Sequence, residues 1–136
     1  MPPHLSRQNW KRTLLLAALS IAPLSSAQAA NFSAQLSAAP ASFQGVCPAT
    51  IRFTGEIRAV KPGKVQFKYV RSDGASSPVQ TLLFSTPGGK PISTTWTLGG
   101  QTQPRYQGWI AIQFVHPQVD RSAPTSFSVQ CAGKLR

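Results

Sequence analysis

The feature that most constrains the fold is a regular alternation of apolar and polar residues that begins just after Cys47. In residues 50–59, the side chains of Ile51, Phe53 and Ile57 share one parity, and charged or hydroxyl-bearing residues occupy the other. Successive side chains of a β-strand point to opposite faces of the sheet. This period of two therefore predicts a strand with one buried face and one exposed face.

Six further segments alternate in the same way or form short apolar runs, and with 50–59 they predict seven strands. These segments are 31–38, 64–72, 79–85, 92–98, 106–116 and 125–131. Twelve prolines and ten glycines in the chain favour turns over helices. We therefore predict an all-β fold, an antiparallel immunoglobulin-like β-sandwich of about seven strands. A small barrel is the alternative.

Residues 1–29 have the pattern of a secretory signal peptide. Basic residues precede the apolar segment "TLLLAALSIAPL", and Ala27 and Ala29 are the small residues that a signal peptidase recognises. The apolar segment is shorter than the roughly 20 residues that a membrane-spanning helix needs. We predict cleavage between Ala29 and Ala30, export to the periplasm or the exterior, a single domain over 30–136, and no membrane span.

The mature chain has two cysteines, Cys47 and Cys131, one near each end. In an exported domain such a pair predicts a structural disulfide. The alternative, a redox-active pair of thiols, is usually marked by a Cys-x-x-Cys spacing, which is absent from this sequence. Phe127, Val129 and Cys131 share a parity, which predicts that Cys131 points towards the core.

Several short motifs resemble a family of small immunoglobulin-like domains from exported bacterial proteins. They are "FQGVCP" at 43–48, "RSDG" at 71–74, "GW" at 108–109, "HP" at 116–117 and "FSVQC" at 127–131. The resemblance covers nearly the whole mature chain. It implies a sandwich whose disulfide joins the sandwich edge to the last strand. Its motifs are turns and core positions, so it brings no catalytic residue.

The mature chain offers few groups for catalysis or metal binding. Its acids are Glu56, Asp73 and Asp120, and its one histidine is His116. Acid–base and nucleophilic catalysis need positioned carboxylates, a histidine or an activated nucleophile, and no motif brings such groups together. We therefore expect no enzymatic activity, no metal site and no cofactor.

Basic residues are the feature of the composition that points to a ligand. Cleavage of the signal peptide leaves a net charge of +8. The candidate face for an anionic ligand comprises Arg52, Arg58, Lys61, Lys64, Lys68 and Arg71. The alternative is a solvated surface that keeps the domain soluble. The two strands involved normally belong to opposite sheets of an immunoglobulin-like sandwich, which would divide the face. Export argues against intracellular nucleic acid as the partner.

Two aromatic residues form a second candidate contact. Trp109 has the opposite parity from Ile110 and Ile112, so it either faces outward or packs at an edge beside Tyr106. An exposed Trp–Tyr pair can stack on a sugar ring or anchor a protein contact. The alternative is that Trp109 covers the end of the sandwich.

These features support three functional hypotheses. The first is an exported, non-enzymatic module that contacts an envelope or secreted protein. The second is a module that binds carbohydrate or a polyanion, such as envelope polysaccharide, through the basic face and Trp109. The third is an inhibitor of a secreted hydrolase that inserts a loop such as "SDGASSP" or "GGQTQPRYQ". The partner and the oligomeric state are left open by the sequence.

Overall fold

The structure is a computed structural model that describes residues 18–22 and 30–132. Ala29 and most of the predicted signal peptide lie outside the described residues, so signal cleavage stays a prediction. Within the described ranges, no helix has the length and apolar character needed to cross a bilayer.

The described residues form eight strands and no helix. The strands are β1 (Phe32–Ala39), β2 (Ser42–Gly45), β3 (Ala49–Ala59), β4 (Gly63–Arg71), β5 (Gln80–Phe84), β6 (Gly88–Leu98), β7 (Arg105–His116) and β8 (Thr125–Cys131). Seven of them correspond to the predicted segments. The additional strand, β2, has four residues and one large apolar side chain, Phe43, which is too short a run for alternation to reveal.

The strands form two sheets, one with the order β1-β3-β6 and the other with the order β2-β8-β7-β4-β5. Neighbouring strands pair antiparallel, except that β2 runs parallel to β8. The fold is an immunoglobulin-like β-sandwich, as predicted, with one parallel pairing that the sequence did not indicate.

The inward-facing residues of the two sheets form the core, and the predicted parity is confirmed. Phe53 and Ile57 of β3 are fully buried, as are Phe67 of β4 and Ile112 of β7. Phe53 packs edge-on against Phe127 of the opposite sheet, with ring centroids 5.4 Å apart. Burial of each such side chain contributes about 1.5–3 kcal/mol to folding. The outward-facing residues do not take part in this core and are exposed to contact with other molecules.

The predicted disulfide between Cys47 and Cys131 is present. Cys47 lies just before β3 and Cys131 ends β8, so the bond joins the two sheets. Cys47 is buried, whereas Cys131 is partly buried against the core. Gly99 packs directly on the bond, since a Cβ at this position would lie 2.7 Å from Sγ of Cys47.

Side chains form hydrogen bonds with backbone groups at two sheet edges. At the β1 edge, Gln118 receives a hydrogen bond from the Phe32 N–H and donates one to the Phe32 carbonyl. At the β6 edge, the Tyr69 hydroxyl donates to the carbonyl of Ser93, at 3.3 Å. Such contacts discourage the addition of a foreign strand at an edge. The sheet faces are therefore better placed than these edges to contact a partner.

Candidate ligand-binding face

The six basic residues of the predicted anionic-ligand face do not lie on one sheet. Arg52 and Arg58 belong to β3 in the three-stranded sheet, whereas β4 in the five-stranded sheet carries Lys64, Lys68 and Arg71; Lys61 lies in the turn between these strands. The outer faces of the two sheets point in opposite directions. The structure therefore separates Arg52 and Arg58 from Lys64 and Lys68, while Arg71, the last residue of β4, has the inward parity and contacts Trp96.

Two of the six are engaged with carboxylates. Arg58 pairs with Glu56 at 2.8 Å. Arg71 donates to both carboxylate oxygens of Asp73, at 3.0 and 2.5 Å, and its guanidinium lies 4.1 Å from the ring centroid of Trp96. The hydrogen bond from Arg71 lowers the pKa of Asp73 below its ordinary value. These pairs leave little net charge at either position for a ligand.

The outer face of the five-stranded sheet carries a different set of cations. By strand parity and exposure, this cationic face comprises Lys64, Lys68, Arg105 and Arg121. Lys68 and Arg121 line one open hollow of about 370 Å³, and Arg105 lines another of about 240 Å³. The cationic face therefore retains two of the predicted residues and adds two that the sequence interpretation missed.

Arg121 reaches this face because residues 120–122 continue the pairing of β8 along β7. The Phe114 N–H donates to the Asp120 carbonyl, and the Ser122 N–H donates to the Ile112 carbonyl, each at 2.9 Å. This pairing places Arg121 opposite Gln113. The position depends on the folded path of the 117–124 segment, which has no alternating pattern from which it could be predicted.

The Arg121 side chain is held in a defined orientation. Its Nε donates to Oε1 of Gln113 at 3.2 Å, and its guanidinium carbon lies 5.7 Å from the ring centroid of Trp109. Gln113 is itself fixed, because its Nε2 donates to the carbonyls of Phe114 and Asp120. The terminal nitrogens of Arg121 have no partner among the described residues and are available to an anion.

The predicted Tyr106–Trp109 pair is not formed, because the two side chains lie on opposite faces of β7. Positions three apart on a strand have opposite parity. Tyr106 turns inward, and its ring lies 5.5 Å from that of Trp96 and 6.0 Å from that of Phe127. Trp109 lies on the outer face and is half-buried. Trp109 is therefore the member of the predicted pair that lies on the outer face.

Trp109 borders an open depression of about 450 Å³ on this face. Its lining includes Gln107, Ser126 and Ser128, which lie on the same outer face. The backbone beneath is firmly placed, since the Trp109 N–H donates to Oγ of Ser72 at 3.1 Å. The neighbouring Gly108 is required, because a Cβ there would lie 2.5 Å from the Tyr106 ring.

The three acids leave the cationic face largely uncompensated. Glu56 and Asp73 are paired with arginines away from this face. Asp120 lies in the segment before Arg121, where its Oδ1 accepts a hydrogen bond from Gln118 at 2.9 Å. Among the described residues, Asp120 forms no ion pair. The face therefore combines unpaired cations, an aromatic ring and neutral hydrogen-bonding groups.

No metal cluster is found within the described part of the chain, where no three His, Cys, Asp or Glu side chains are grouped to hold an ion. His116 is exposed at the end of β7.

The two loops considered for an inhibitor are closed by their own hydrogen bonds. Ser77 N–H donates to the Tyr69 carbonyl at 2.9 Å, and Gly100 and Gln103 exchange backbone hydrogen bonds at 3.2 Å.

No protein-family model matches this chain, and no curated protein matches it. Solved structures share its fold at low identity. The CARDB domain of a Pyrococcus furiosus protein, in complex with di-metal ions, has a TM-score of 0.53 and 11% identity, over 74% of this chain and 91% of that domain. These values establish similarity of fold alone.

Two structures of larger proteins are also similar. The alkylpurine DNA glycosylase AlkC of Pseudomonas fluorescens, bound to DNA containing an abasic site analogue, has a TM-score of 0.52 and 14% identity over 74% of this chain. The β-glucosidase of Listeria innocua, in complex with glucose, has a TM-score of 0.51 and 12% identity over 77% of this chain. This chain covers 31% and 16% of those two chains, respectively.

Proposed function

We propose that this protein is an exported, non-enzymatic binding module whose ligand is an acidic polysaccharide of the cell envelope or the surroundings. The observation that carries the proposal is the cationic face, where Lys64, Lys68, Arg105 and Arg121 share the outer surface of one sheet with Trp109. An anionic polymer would meet this surface without displacing a carboxylate partner.

Charge complementarity selects an anionic ligand over a neutral one. Exposed single ion pairs contribute little in water, about 0–1 kcal/mol each. Several cations along one surface act together on a polymer whose charges repeat. Two of the hollows on this face are adjacent, because the hollow beside Trp109 shares Gln107 and Ser128 with the hollow that Arg105 lines. A chain-like ligand fits this arrangement better than a compact one.

Localisation supports a polysaccharide as the polymer. The disulfide is consistent with an oxidising compartment, and residues 1–29 have the pattern of a signal peptide. Polysaccharides are the abundant acidic polymers in that setting. The measurement that checks export is the N-terminal sequence of the protein recovered from the producing cell, which we expect to begin at Ala30.

The direct test is a titration of the mature protein with a polyuronate at several salt concentrations. Anionic polymers bound through exposed cations are released as salt screens the attraction, so the affinity should fall steeply between about 50 and 200 mM salt. Neutral dextran of similar length is the control ligand and should not bind. A polyuronate that fails to bind even at low salt would overturn the proposal.

Exposed apolar side chains favour a second candidate, a contact with an exported protein. Val115 and Val119 line the hollow that contains Lys68, and Leu83 lies opposite Lys64 on the edge strand β5. Val119 and Leu83 are 82% and 64% exposed. Retention of one exported protein at high salt, lost in the variant Leu83→Ser with Val119→Ser, would favour this candidate. Unchanged retention by that variant would count against it.

A further inference from the structure

We infer that the hollow beside Trp109 is a subsite for a single acidic sugar ring, with Trp109 as the stacking surface and Arg121 as the group that pairs with the anion. This inference rests on the proposed function and deepens it. It distinguishes one position on the cationic face, where a sugar unit is recognised, from the others, where charge alone acts. The hollow's volume, about 450 Å³, lies in the usual range for small-ligand sites.

The aromatic component is held in place before any ligand arrives. The backbone N–H of Trp109 donates to Ser72 Oγ, and that oxygen also lies 3.2 Å from the Tyr106 hydroxyl. Tyr106 in turn packs against core rings. The backbone of Trp109 is therefore held in place, and its indole lies between the Arg121 guanidinium and the hollow that it borders. A rigid indole can stack on a sugar ring with little loss of conformational entropy.

The anion-binding component is oriented in the same way. Arg121 extends from its position opposite Gln113 to the ring of Trp109, across Ala111, which is fully buried although it has the outer parity. Its Nε is occupied by Gln113, whereas its terminal nitrogens are unpartnered among the described residues. Arg121 lines the hollow that contains Lys68 and meets the neighbouring hollow at the Trp109 ring. A guanidinium at this boundary can pair with the carboxylate or sulfate of a sugar ring held beside Trp109.

Neutral polar groups complete the subsite. Ser126 pairs with Trp109 in the sheet register, and its hydroxyl has no hydrogen-bond partner among the described residues. The exposed amide of Gln107 is likewise unpartnered in that part of the chain, whereas Ser128 already contacts the Ser42 hydroxyl at 3.2 Å. A free hydroxyl and a free amide are suited to the hydroxyl groups of a sugar. Neither group would be required by a simple polyanion.

The same surface could in principle stack a nucleobase, because basic grooves with aromatic side chains also bind single-stranded nucleic acids. The predicted export and the hydroxyl-rich lining favour a sugar. A single-stranded oligonucleotide that binds more tightly than a polyuronate of equal charge would overturn the inference.

The experiment is a fluorescence titration of the mature protein with glucuronate, glucose and polyphosphate. Mature protein has two tryptophans, Trp96 and Trp109, and only Trp109 borders the hollow. We expect saturable, millimolar binding of glucuronate, weaker binding of glucose, and no saturable change in Trp109 emission with polyphosphate. Trp109→Ala and Arg121→Gln should each weaken glucuronate binding at least tenfold, while Trp109→Phe should retain part of it.

Lys64→Gln is the matched control, since it removes an equal charge from the same face, on β4 beside the edge strand β5, and Lys64 lines none of the hollows described above. It should weaken binding of the polyuronate and leave glucuronate binding unchanged. Thermal melting of each variant identifies any that fails to fold, and Trp109→Phe then carries the test in place of Trp109→Ala. Absence of glucuronate binding, with polyuronate still bound in a salt-dependent way, would overturn the subsite and leave the proposed function standing. Absence of both would overturn the proposed function as well.

Discussion

The two outer faces of the sandwich are built by the same alternation of residues, yet they differ in the side chains and the charge that they present. The outer face of β1-β3-β6 carries mainly small neutral side chains, namely Ser33, Gln35, Ser37, Thr50, Thr54, Ser93, Thr95 and Thr97. Its cations are Arg58, which is paired with Glu56, and Arg52, which forms no ion pair with another described residue. The outer face of the five-stranded sheet carries Lys68, Arg121 and Trp109, and neither cation has a carboxylate partner among the described residues.

We propose that a group of cations without carboxylate partners, more than the number of basic residues, distinguishes the ligand-binding face. The chain is strongly basic throughout, so net charge alone does not distinguish one surface from another. Glu56 and Asp73 neutralise neighbouring arginines away from the face proposed to bind. We therefore expect changes in stability to affect both faces and changes in polyuronate binding to arise from the cationic face alone.

The largest expected effect is a loss of free energy of unfolding, which should destabilise both sheets together. Replacing Cys131 by serine removes the bond that joins the two sheets. For a separation of 84 residues, the loop-entropy relation predicts a loss of about 4.5 kcal/mol as an upper value. The melting temperature of Cys131→Ser should fall by more than about 10 °C in oxidising buffer. An unchanged melting temperature would contradict the role assigned to the bond.

A smaller but still large effect should arise from Gly55, within the three-stranded sheet. A Cβ there would lie 1.8 Å from the carbonyl oxygen of Gln35 on β1, so the paired strands must separate. We expect Gly55→Ala to reduce the free energy of unfolding by about 3 kcal/mol, measured by urea denaturation.

The matched control is Gly74→Ala. Gly74 has a φ of +87° and open space around its Cβ position, so the cost should be only about 1–2 kcal/mol of backbone strain. Because Gly55 is remote from the cationic face, folded Gly55→Ala protein should bind polyuronate with wild-type affinity. Weaker binding would mean that the two faces are not independent.

A modest effect should appear at low pH. Arg71 lowers the pKa of Asp73, so the folded state favours the ionised carboxylate. Its stabilisation is present above the ordinary pKa near 3.9 and is lost as the pH falls through the lower folded-state value. The pair is partly exposed, so the contribution should be below about 1 kcal/mol.

Asp73→Asn should remove this part of the pH dependence when the urea midpoints at pH 5 and pH 2.5 are compared. A wild-type difference that persists unchanged in Asp73→Asn would assign the effect to other carboxylates. Polyuronate binding at neutral pH should be unaffected in this variant, because Asp73 lies outside the cationic face.

The smallest effect is expected for Arg52→Gln, on the face proposed not to bind. Arg52 makes no hydrogen bond or ion pair with another described residue. Its replacement should change the free energy of unfolding by less than about 0.5 kcal/mol. Polyuronate affinity should change less than twofold. A larger loss of affinity would extend the binding surface to the three-stranded sheet.

Local patterns were sufficient to predict the fold but only part of the candidate site. Alternation identified the buried residues of β3, β4 and β7, because inward packing acts on every second side chain. The separation of β3 and β4 into different sheets was anticipated only by analogy with the fold. Lys64 and Lys68 were correctly placed on an outer strand parity, and the division of the six basic residues between two sheets was the expected alternative, but Arg105 and Arg121 were not identified as their neighbours.

The remainder of the site depends on tertiary structure. Arg121 joins Trp109 because an irregular segment folds back along β7, and no periodic signal accompanies such a path. The pairing of Tyr106 with Trp109 was wrong for a simpler reason. The two positions are three apart on one strand, so parity alone places them on opposite faces.

The measurement that tests the central claim most directly compares two double variants with the same loss of charge. Lys68→Gln with Arg121→Gln removes two cations from the cationic face, and Arg52→Gln with Lys61→Gln removes two from elsewhere. At about 50 mM salt, we predict at least tenfold weaker polyuronate binding for the first variant and less than twofold for the second. Equal losses in the two variants would show that net charge, and not this face, governs binding.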